Sequence, residues 1–338
     1  MQRFDRDSAR GEQDDLPAML ASILRRVEAL ELDLNGLSVV TEAATGAYAC
    51  TATIAAVAGA RRVSIFARDT RRHGSASDAF DATLSLARHA GVADRITMLH
   101  RLEPKAFAEC DILTNSGHLR PISDAVVAAL PPGAVVALMF EAWEFRSDDL
   151  DLAACRRHGV PVAAVNERHP HVAVFPFLGP LALKLLEDAD VAARGSRILV
   201  ICDNPFAPFI CSGLNAAGAR VTLTPDLAGA GSGPCDAVVL ALDPGRNAPL
   251  REAELRKLAA LAPNVPLAQF WGDIDRAAAA AAGFILVPRT DPRPGHMGIL
   301  LNALGPEPII RLQTGGLKAA ELVHRGATFS PDGVAELL

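Results

Sequence analysis

The chain has 338 residues, a formal net charge of −6 with histidine neutral, and 50% hydrophobic against 21% charged residues. At roughly 100–200 residues per domain this length predicts two domains, each with its own core, and the apolar fraction argues against disorder. The acidic balance disfavours nucleic acid as a partner, no run nears the ~18 apolar residues of a membrane span, and the acidic first fifteen residues do not resemble a signal peptide.

Cys50, Cys110, Cys155, Cys202, Cys211 and Cys235 are scattered without a C-x-x-C pair. That predicts reduced thiols in the cytoplasm, with neither a disulfide framework nor a metal cluster. Residues 1–35 read as an N-terminal arm ending in an amphipathic helix over 16–32. Its apolar stripe is Leu16, Met19, Leu20, Ile23, Leu24, Val27 and Leu30. Such a helix packs on a core or on a second copy of the chain, so a homodimer is one expectation.

After Asn35-Gly36, short apolar runs alternate with helical stretches. Strands are predicted over 37–41, 62–67, 95–99, 111–114, 134–140 and 161–165. Helices are predicted over 47–58, 77–89, 122–130 and 150–158, with Gly91 as a left-handed cap after the second. A continuous run such as Ala134-Val135-Val136-Ala137-Leu138-Met139 implies strands buried on both faces, as in a parallel sheet covered by helices. Residues 36–180 therefore read as a Rossmann-like domain of six strands. A connecting helix over 180–193 follows, and the rhythm restarts. Strands over 197–202, 220–224, 237–242, 265–270 and 284–287, with helices over 208–216, 252–261 and 273–282, predict a second Rossmann-like domain over 181–310. The Gly-rich stretch 228–234 reads as a flexible loop. Helices over 295–304 and 316–324 close the chain, and the segment 311–338 is expected to return to the first domain. The fold class is α/β, two Rossmann-like parallel-sheet domains with a cleft between them.

In such sheets ligands bind beyond the carboxyl ends of the strands, where strand order reverses. After the first strand stands Thr41-Glu42-Ala43-Ala44-Thr45-Gly46-Ala47-Tyr48. The G-x-G-x-x-G fingerprint fails, yet Thr45, Gly46 and Ala47 are small enough for a phosphate to approach a helix N-terminus; a plain tight turn is the alternative. After the second strand, Arg68, Thr70, Arg71 and Arg72 suit the 2′-phosphate of NADP, and Asp69 suits the ribose of NAD. A solvated basic turn is the alternative there. Asn115, Ser116 and Gly117 follow the fourth strand where a nicotinamide ribose or a substrate would lie. His118, Glu141, Glu144, Arg146, Asn166, Glu167 and His169 are expected on one rim as an acid/base set, though each alone is an ordinary cap or surface residue. The second domain offers Asp203, Trp271 and, at a predicted helix start, His296. His169-Pro170-His171, if extended, points its imidazoles to opposite sides, and no H-E-x-x-H, G-x-S-x-G or P-loop pattern occurs. No metal site is expected.

The strand end Leu113-Thr114-Asn115-Ser116-Gly117-His118 and the helix-turn-strand running from Asp149 through Cys155, Gly159 and Pro161 to Val162 resemble the cofactor domain of the two-domain D-2-hydroxyacid dehydrogenase and S-adenosylhomocysteine hydrolase group. The resemblance covers about sixty residues and implies a Rossmann domain, a nicotinamide cofactor and a cleft between two α/β domains. The glycine fingerprint is missing, the usual Arg-Gly after the fifth strand is replaced by 141–146, and no Glu-His pair matches, so no catalytic role carries over. The resulting expectation is an NADP- or NAD-dependent oxidoreductase acting on a small polar metabolite. His118, Glu141, Glu144, Glu167 and His296 are its candidate catalytic residues. A nucleotide-sugar-dependent transferase holding its nucleotide on the second domain, and a non-catalytic ligand-binding protein, are the alternatives.

Overall fold

The computed structural model describes residues 16–70, 74–231, 233–327, 330 and 332–338. Arg71 and Arg72, the first fifteen residues and Ser232 of the Gly-rich loop lie outside them. In chain order the strands are β1 (Ser38–Glu42), β2 (Arg62–Phe66), β3 (Ile96–Leu99), β4 (Ile112–Thr114), β5 (Val135–Ala137) and β6 (Val162–Val165), then β7 (Arg197–Cys202), β8 (Arg220–Thr224), β9 (Ala237–Ala241), β10 (Pro266–Trp271), β11 (Ile285–Val287) and β12 (Ala335–Leu337). The helices are α1 (Leu16–Ala29), α2 (Cys50–Val57), α3 (Ala76–His89), α4 (Asp124–Ala128), α5 (Leu152–His158), α6 (Leu178–Glu187), α7 (Ala207–Ala216), α8 (Glu252–Leu261), α9 (Arg276–Ala281) and α10 (Glu307–His324). Two compact units emerge, Met1–Val174 with Gly305–Leu338, and Phe175–Leu304.

The first unit is built on a seven-stranded sheet ordered β12-β6-β5-β4-β1-β2-β3. β1 to β6 run parallel, and β12 joins β6 antiparallel. Strand order therefore reverses between β1 and β4, paired at Val39↔Ile112 and Val40↔Leu113. Short polar side chains start its helices. Ser75 Oγ accepts the Asp78 N–H ahead of α3, and Asp151 accepts the Ala154 N–H ahead of α5, each worth about 1 kcal/mol. Gly91 follows α3 at φ +71°, the left-handed cap its position predicts. One face of the sheet is sealed by Phe107, Leu113, Ile122, Val127, Val136 and Leu138, each fully buried side chain contributing about 1.5–3 kcal/mol. α1 packs against α10, α2 and α3 of its own unit, burying Met19 and Ile23, so its apolar stripe serves a core.

α10 begins nine residues ahead of the helix predicted over 316–324. The glycine pair Gly315-Gly316 lies within it, and their missing side chains leave room for the sheet. A Cβ on Gly315 would stand 2.9 Å from Val165 and 3.0 Å from Val172, and one on Gly316 would stand 2.7 Å from Met139 Sδ. Close approach to β5 and β6 outweighs the roughly 1 kcal/mol helix penalty of each glycine. β12 is not among the predicted strands, because three residues are too few for any periodicity to register.

The second unit carries five parallel strands in the order β8-β7-β9-β10-β11. Its order reverses between β7 and β9. α6 and α7 meet backbone to backbone at Gly179 and Gly213, where a Cβ on Gly213 would lie 2.4 Å from Gly179 Cα. The helix predicted over 295–304 is corrected: only a 3₁₀ turn forms, at Leu301–Leu304. The Gly298 N–H donates to Phe270 O at 2.9 Å, outside any helical pattern. A Cβ on Gly298 would lie 1.9 Å from Gln269 O, so the chain is drawn flat against β10. No helix of the described residues is long and apolar enough to cross a membrane.

Candidate functional site

The strand-end residues of the first unit separate into two clusters. The first sits at the β1/β4 reversal. There the Thr114 hydroxyl donates to Thr41 Oγ1 at 2.8 Å and lies 2.9 Å from Ser116 Oγ, tying the two strand ends together. Asn115 is fully buried and is clamped by Arg120, whose Nε donates to Asn115 Oδ1 at 3.0 Å and whose Nη2 donates to Asn115 O at 2.7 Å. The third guanidinium nitrogen, Nη1, lies 3.3 Å from Asp149 Oδ2. Arg120 and Arg146 both lie over the Phe140 ring, 5.6 and 4.9 Å from its centroid.

His118 is 3% exposed. Its backbone N–H donates to Glu42 Oε2 at 2.8 Å, and its Nδ1 accepts the Arg68 N–H at 3.3 Å. Nδ1 acting as acceptor makes this the neutral tautomer with its proton on Nε2. Burial raises the Glu42 carboxyl above its ordinary range, with the His118 N–H and Arg120 acting in the other direction. Neither Glu42 nor Arg120 stands out in the sequence as a site residue. The signal for Glu42 is a carboxylate closing an otherwise apolar strand at the point of reversal.

Thr45, Gly46 and Ala47 lead into a 3₁₀ turn, Gly46–Ala49, that runs on into α2; the predicted continuous helix over 47–58 starts in this tighter form. Thr45 makes no side-chain cap on that turn, so its hydroxyl does not take up the first N–H groups. Gly46 has φ +58° and nothing within 4 Å of where a Cβ would stand, an open cradle at a helical N-terminus. The neighbouring Ala44 N–H is held by Thr83 Oγ1 at 3.0 Å. At the end of β2, Arg68 is exposed and Nη2 donates to Arg120 O at 2.7 Å. Asp69 accepts the Ala76 N–H at 2.8 Å, and Thr70 forms a bridge with Gly74.

The second cluster lies at the ends of β5 and β6. Glu141 is fully buried. Its Oε1 accepts the Glu167 N–H at 2.9 Å and Arg168 Nε at 3.2 Å, and its Oε2 accepts the Trp143 indole N–H. Burial pushes the Glu141 carboxyl up. Burial, then the charges of Glu144 and Glu141, push Glu167 well above the usual carboxylate range. Asn166 instead serves structure, its Nδ2 donating to Gly333 O at 3.0 Å beside β12. β4, β5 and β6 are parallel neighbours, so their ends lie along one side of the sheet, and the residues there form two hydrogen-bonded groups. His169-Pro170-His171 is a turn, not an extended segment, and its imidazole centroids lie 5.5 Å apart. Among the described residues no group of three His, Cys, Asp or Glu could hold a metal ion.

In the second unit, Asp203 Oδ1 accepts the Asp243 N–H at 3.0 Å and Asp203 Oδ2 accepts Asn247 Nδ2 at 2.7 Å. The Asn204 side chain spans Ala241 O and the Phe206 N–H, and Pro205 has no N–H to offer. Two carboxylates and a self-satisfied turn make the β7/β9 reversal a poor seat for a polyphosphate. Trp271 is buried against Phe206 and donates from Nε1 to Gly295 O at 3.2 Å. His296 is corrected from a helix start to a turn residue, since no helix begins at 295.

All six cysteines are free thiols. Burial pushes Cys50, Cys110 and Cys202 up to about 12 and Cys155 to about 11, which leaves them protonated and inert as nucleophiles.

No protein-family model matches the chain, and no curated protein matches it by sequence. Its structure is similar to that of a dipicolinate synthase from Bacillus halodurans, with TM-score 0.53, 12% identity, and coverage of 86% of this chain and 99% of that one. It is likewise similar to the dipicolinate synthase from Bacillus subtilis, with TM-score 0.54, 12% identity, and coverage of 88% and 99%. The NAD-dependent formate dehydrogenase from Staphylococcus aureus, solved with NAD, stands at TM-score 0.49 and 11% identity, covering 88% and 98%. With the two dipicolinate synthases the chain shares its fold.

Proposed function

We propose that this chain is an NAD(P)-dependent oxidoreductase that carries its cofactor on the seven-stranded unit and acts on a small polar metabolite. The observation that supports this reading is the order of β1 to β6, 3-2-1-4-5-6 in space, whose reversal point is where dinucleotides bind in doubly wound sheets. The residues there fit such a ligand: the uncapped turn at Thr45 with the open cradle at Gly46 for the pyrophosphate, and Arg68, Asp69 and Thr70 for the adenosine ribose. Asn115, Ser116 and Gly117 would face the nicotinamide ribose. A bound nicotinamide supplies or accepts the hydride. His118, fixed by the Arg68 N–H as the Nε2–H tautomer, would donate a hydrogen bond to a substrate carbonyl. Burial raises the carboxyls of Glu141 and Glu167, Glu167 well above the usual carboxylate range, which suits either to hand a proton to the substrate.

Thermal unfolding of the full chain with NAD, NADH, NADP, NADPH and nucleoside diphosphates tests the reading. A ligand bound by the folded state alone adds about 2.7 kcal/mol at a hundredfold excess over Kd. A rise with dinucleotides that is lost in Gly46→Val supports it. A response to NADP forms alone assigns Arg68 to the 2′-phosphate. A rise with nucleoside diphosphates alone would move the reading to a transferase, and no rise with any of them would overturn it.

A further inference from the structure

We propose that the cavity at the starts of β1 and β2 binds a small oxyanion, a phosphoryl or carboxylate group, at a seat separate from the proposed cofactor site. The inference goes beyond the oxidoreductase reading and does not depend on it. Ser38 and Arg62 open β1 and β2 and are register partners, as are Val40 and Ser64 two residues on. Alternation along a strand puts all four side chains on one face of the sheet. Over that face the chain between β3 and β4 lays a 3₁₀ turn, Pro104–Phe107, and no α-helix, with Phe107 packed in one cluster with Val40. Lys105 from the turn and Glu109 beyond it complete the wall of a cavity of about 160 Å³. Dinucleotides are held beyond the carboxyl ends of strands, and this cavity lies at the amino ends.

The cavity presents more hydrogen-bond donors than open acceptors. Ser64 is 9% exposed, and its hydroxyl has no hydrogen-bond partner among the described residues. Ser38 is 4% exposed; its Oγ accepts Arg61 Nη2 at 3.0 Å, which leaves its own proton without an acceptor. Arg62 has five N–H donors and engages Glu109 Oε2 from Nη1 at 3.3 Å. Lys105 has three and reaches Glu103 at 2.9 Å. The carboxylates around the cavity are all taken. Glu109 is held by Arg62 and, at 3.7 Å, by Arg61, Glu103 by Lys105, and Asp111 by the Ser38 N–H at 2.7 Å. What remains are donors, two of them on buried hydroxyls, and polar groups so enclosed favour a ligand that completes them. An ammonium group or a metal ion brings no acceptor. A phosphate or carboxylate brings acceptors, and its oxygens match the fork of a guanidinium. The side chains of Arg62 and Lys105 are 55% and 85% exposed, which puts the cations at the mouth and the hydroxyls at the floor. The volume is several times a single water's share of about 30 Å³, enough for one such group.

The test is calorimetric titration and thermal unfolding of the full-length protein with sodium phosphate, sodium sulfate and sodium acetate, against sodium chloride at matched ionic strength. The expected result is saturable binding and stabilisation by an oxyanion that chloride fails to give. A response to phosphate and sulfate alone supports a phosphoryl group as the occupant, and an equal or stronger response to acetate supports a carboxylate. Ser64→Ala removes the floor hydroxyl without adding bulk. It should leave the Tm of the free protein unchanged or higher and bind the oxyanion about tenfold more weakly. Arg62→Gln should weaken binding as well, and serves if the first variant does not fold. Gly46→Val, altered at the proposed cofactor seat, should bind the oxyanion as the parent does. No response beyond chloride, undiminished binding by either the Ser64 or the Arg62 variant, or loss of the response in Gly46→Val alone would each overturn the proposal. Dinucleotide titration of the same samples separates the two readings. An oxyanion response without dinucleotide binding overturns the cofactor assignment and supports the oxyanion site. Dinucleotide binding without an oxyanion response overturns the oxyanion site alone.

Discussion

Arg120 offers a sharp test of how the β4 turn is held. Its side chain is 23% exposed and makes a two-pronged clamp on Asn115, at 3.0 Å to Oδ1 and 2.7 Å to the carbonyl, with Asp149 on its remaining nitrogen. Arg120→Met keeps the packing on Phe140 but deletes both prongs. Two hydrogen bonds from a charged donor at about 1.5 kcal/mol each give a loss of about 3 kcal/mol. Asp149 is not stranded, because Arg146 Nε still donates to it at 3.2 Å, so the larger cost of an unpaired buried charge does not arise. In a unit of roughly 200 residues each kcal/mol lowers Tm by about 2–4 °C, so the expected drop is about 6–12 °C by calorimetry. Arg120→Lys retains the charge toward Asp149 but cannot fork onto both oxygens of Asn115, and should lose about half as much. Hydrogen exchange should quicken at 114–119 in both variants, and dinucleotide binding should weaken with it. A methionine variant within about 2 °C of the parent, or a lysine variant indistinguishable from it, would refute the clamp.

Three further outcomes are expected. Glu42, Glu141 and Glu167 bind their protons more tightly folded than unfolded, because burial raises all three above the ordinary carboxyl value of 4.5. Their stabilising contribution is therefore complete below that value and is lost as pH rises through the folded values. The Tm of Glu167→Gln minus that of the parent should grow between pH 5 and pH 8, and a constant difference would contradict the burial argument. Gly316→Ala should cost about 1–3 kcal/mol by denaturant unfolding, since the new methyl would meet Met139 at 2.7 Å; a neutral effect would show that Met139 yields freely. In native protein, thiol reagent should consume Cys211 and Cys235 first and reach Cys50, Cys110, Cys155 and Cys202 only on unfolding. Rapid reaction of all six would refute their burial.

Local pattern determined much of this chain. Apolar runs over 134–140 and 161–165 announced strands covered on both faces, which β5 and β6 are, and Gly91 announced a helix end that it caps. Both α/β units were legible from the rhythm of strand and helix, because periodicity and turn chemistry act within a dozen residues. The positions of His118, Glu141 and Glu167 at strand ends were legible for the same reason.

Tertiary structure decided the rest. The order of β1 to β6, and so the reversal between β1 and β4, depends on strand pairing across long stretches of chain. α10 runs through Gly315-Gly316 because Val165, Val172 and Met139 occupy the space where side chains would stand, which no helix propensity foretells. The helix expected over 295–304 failed because Gly298 is drawn onto β10. Glu42 and Arg120 gained their roles from partners 76 and 5 residues away. The proton affinity of Glu167 rises because folding buries it beside Glu144 and Glu141. Desolvation and neighbouring charge act through space, and a linear sequence carries neither until the chain is folded.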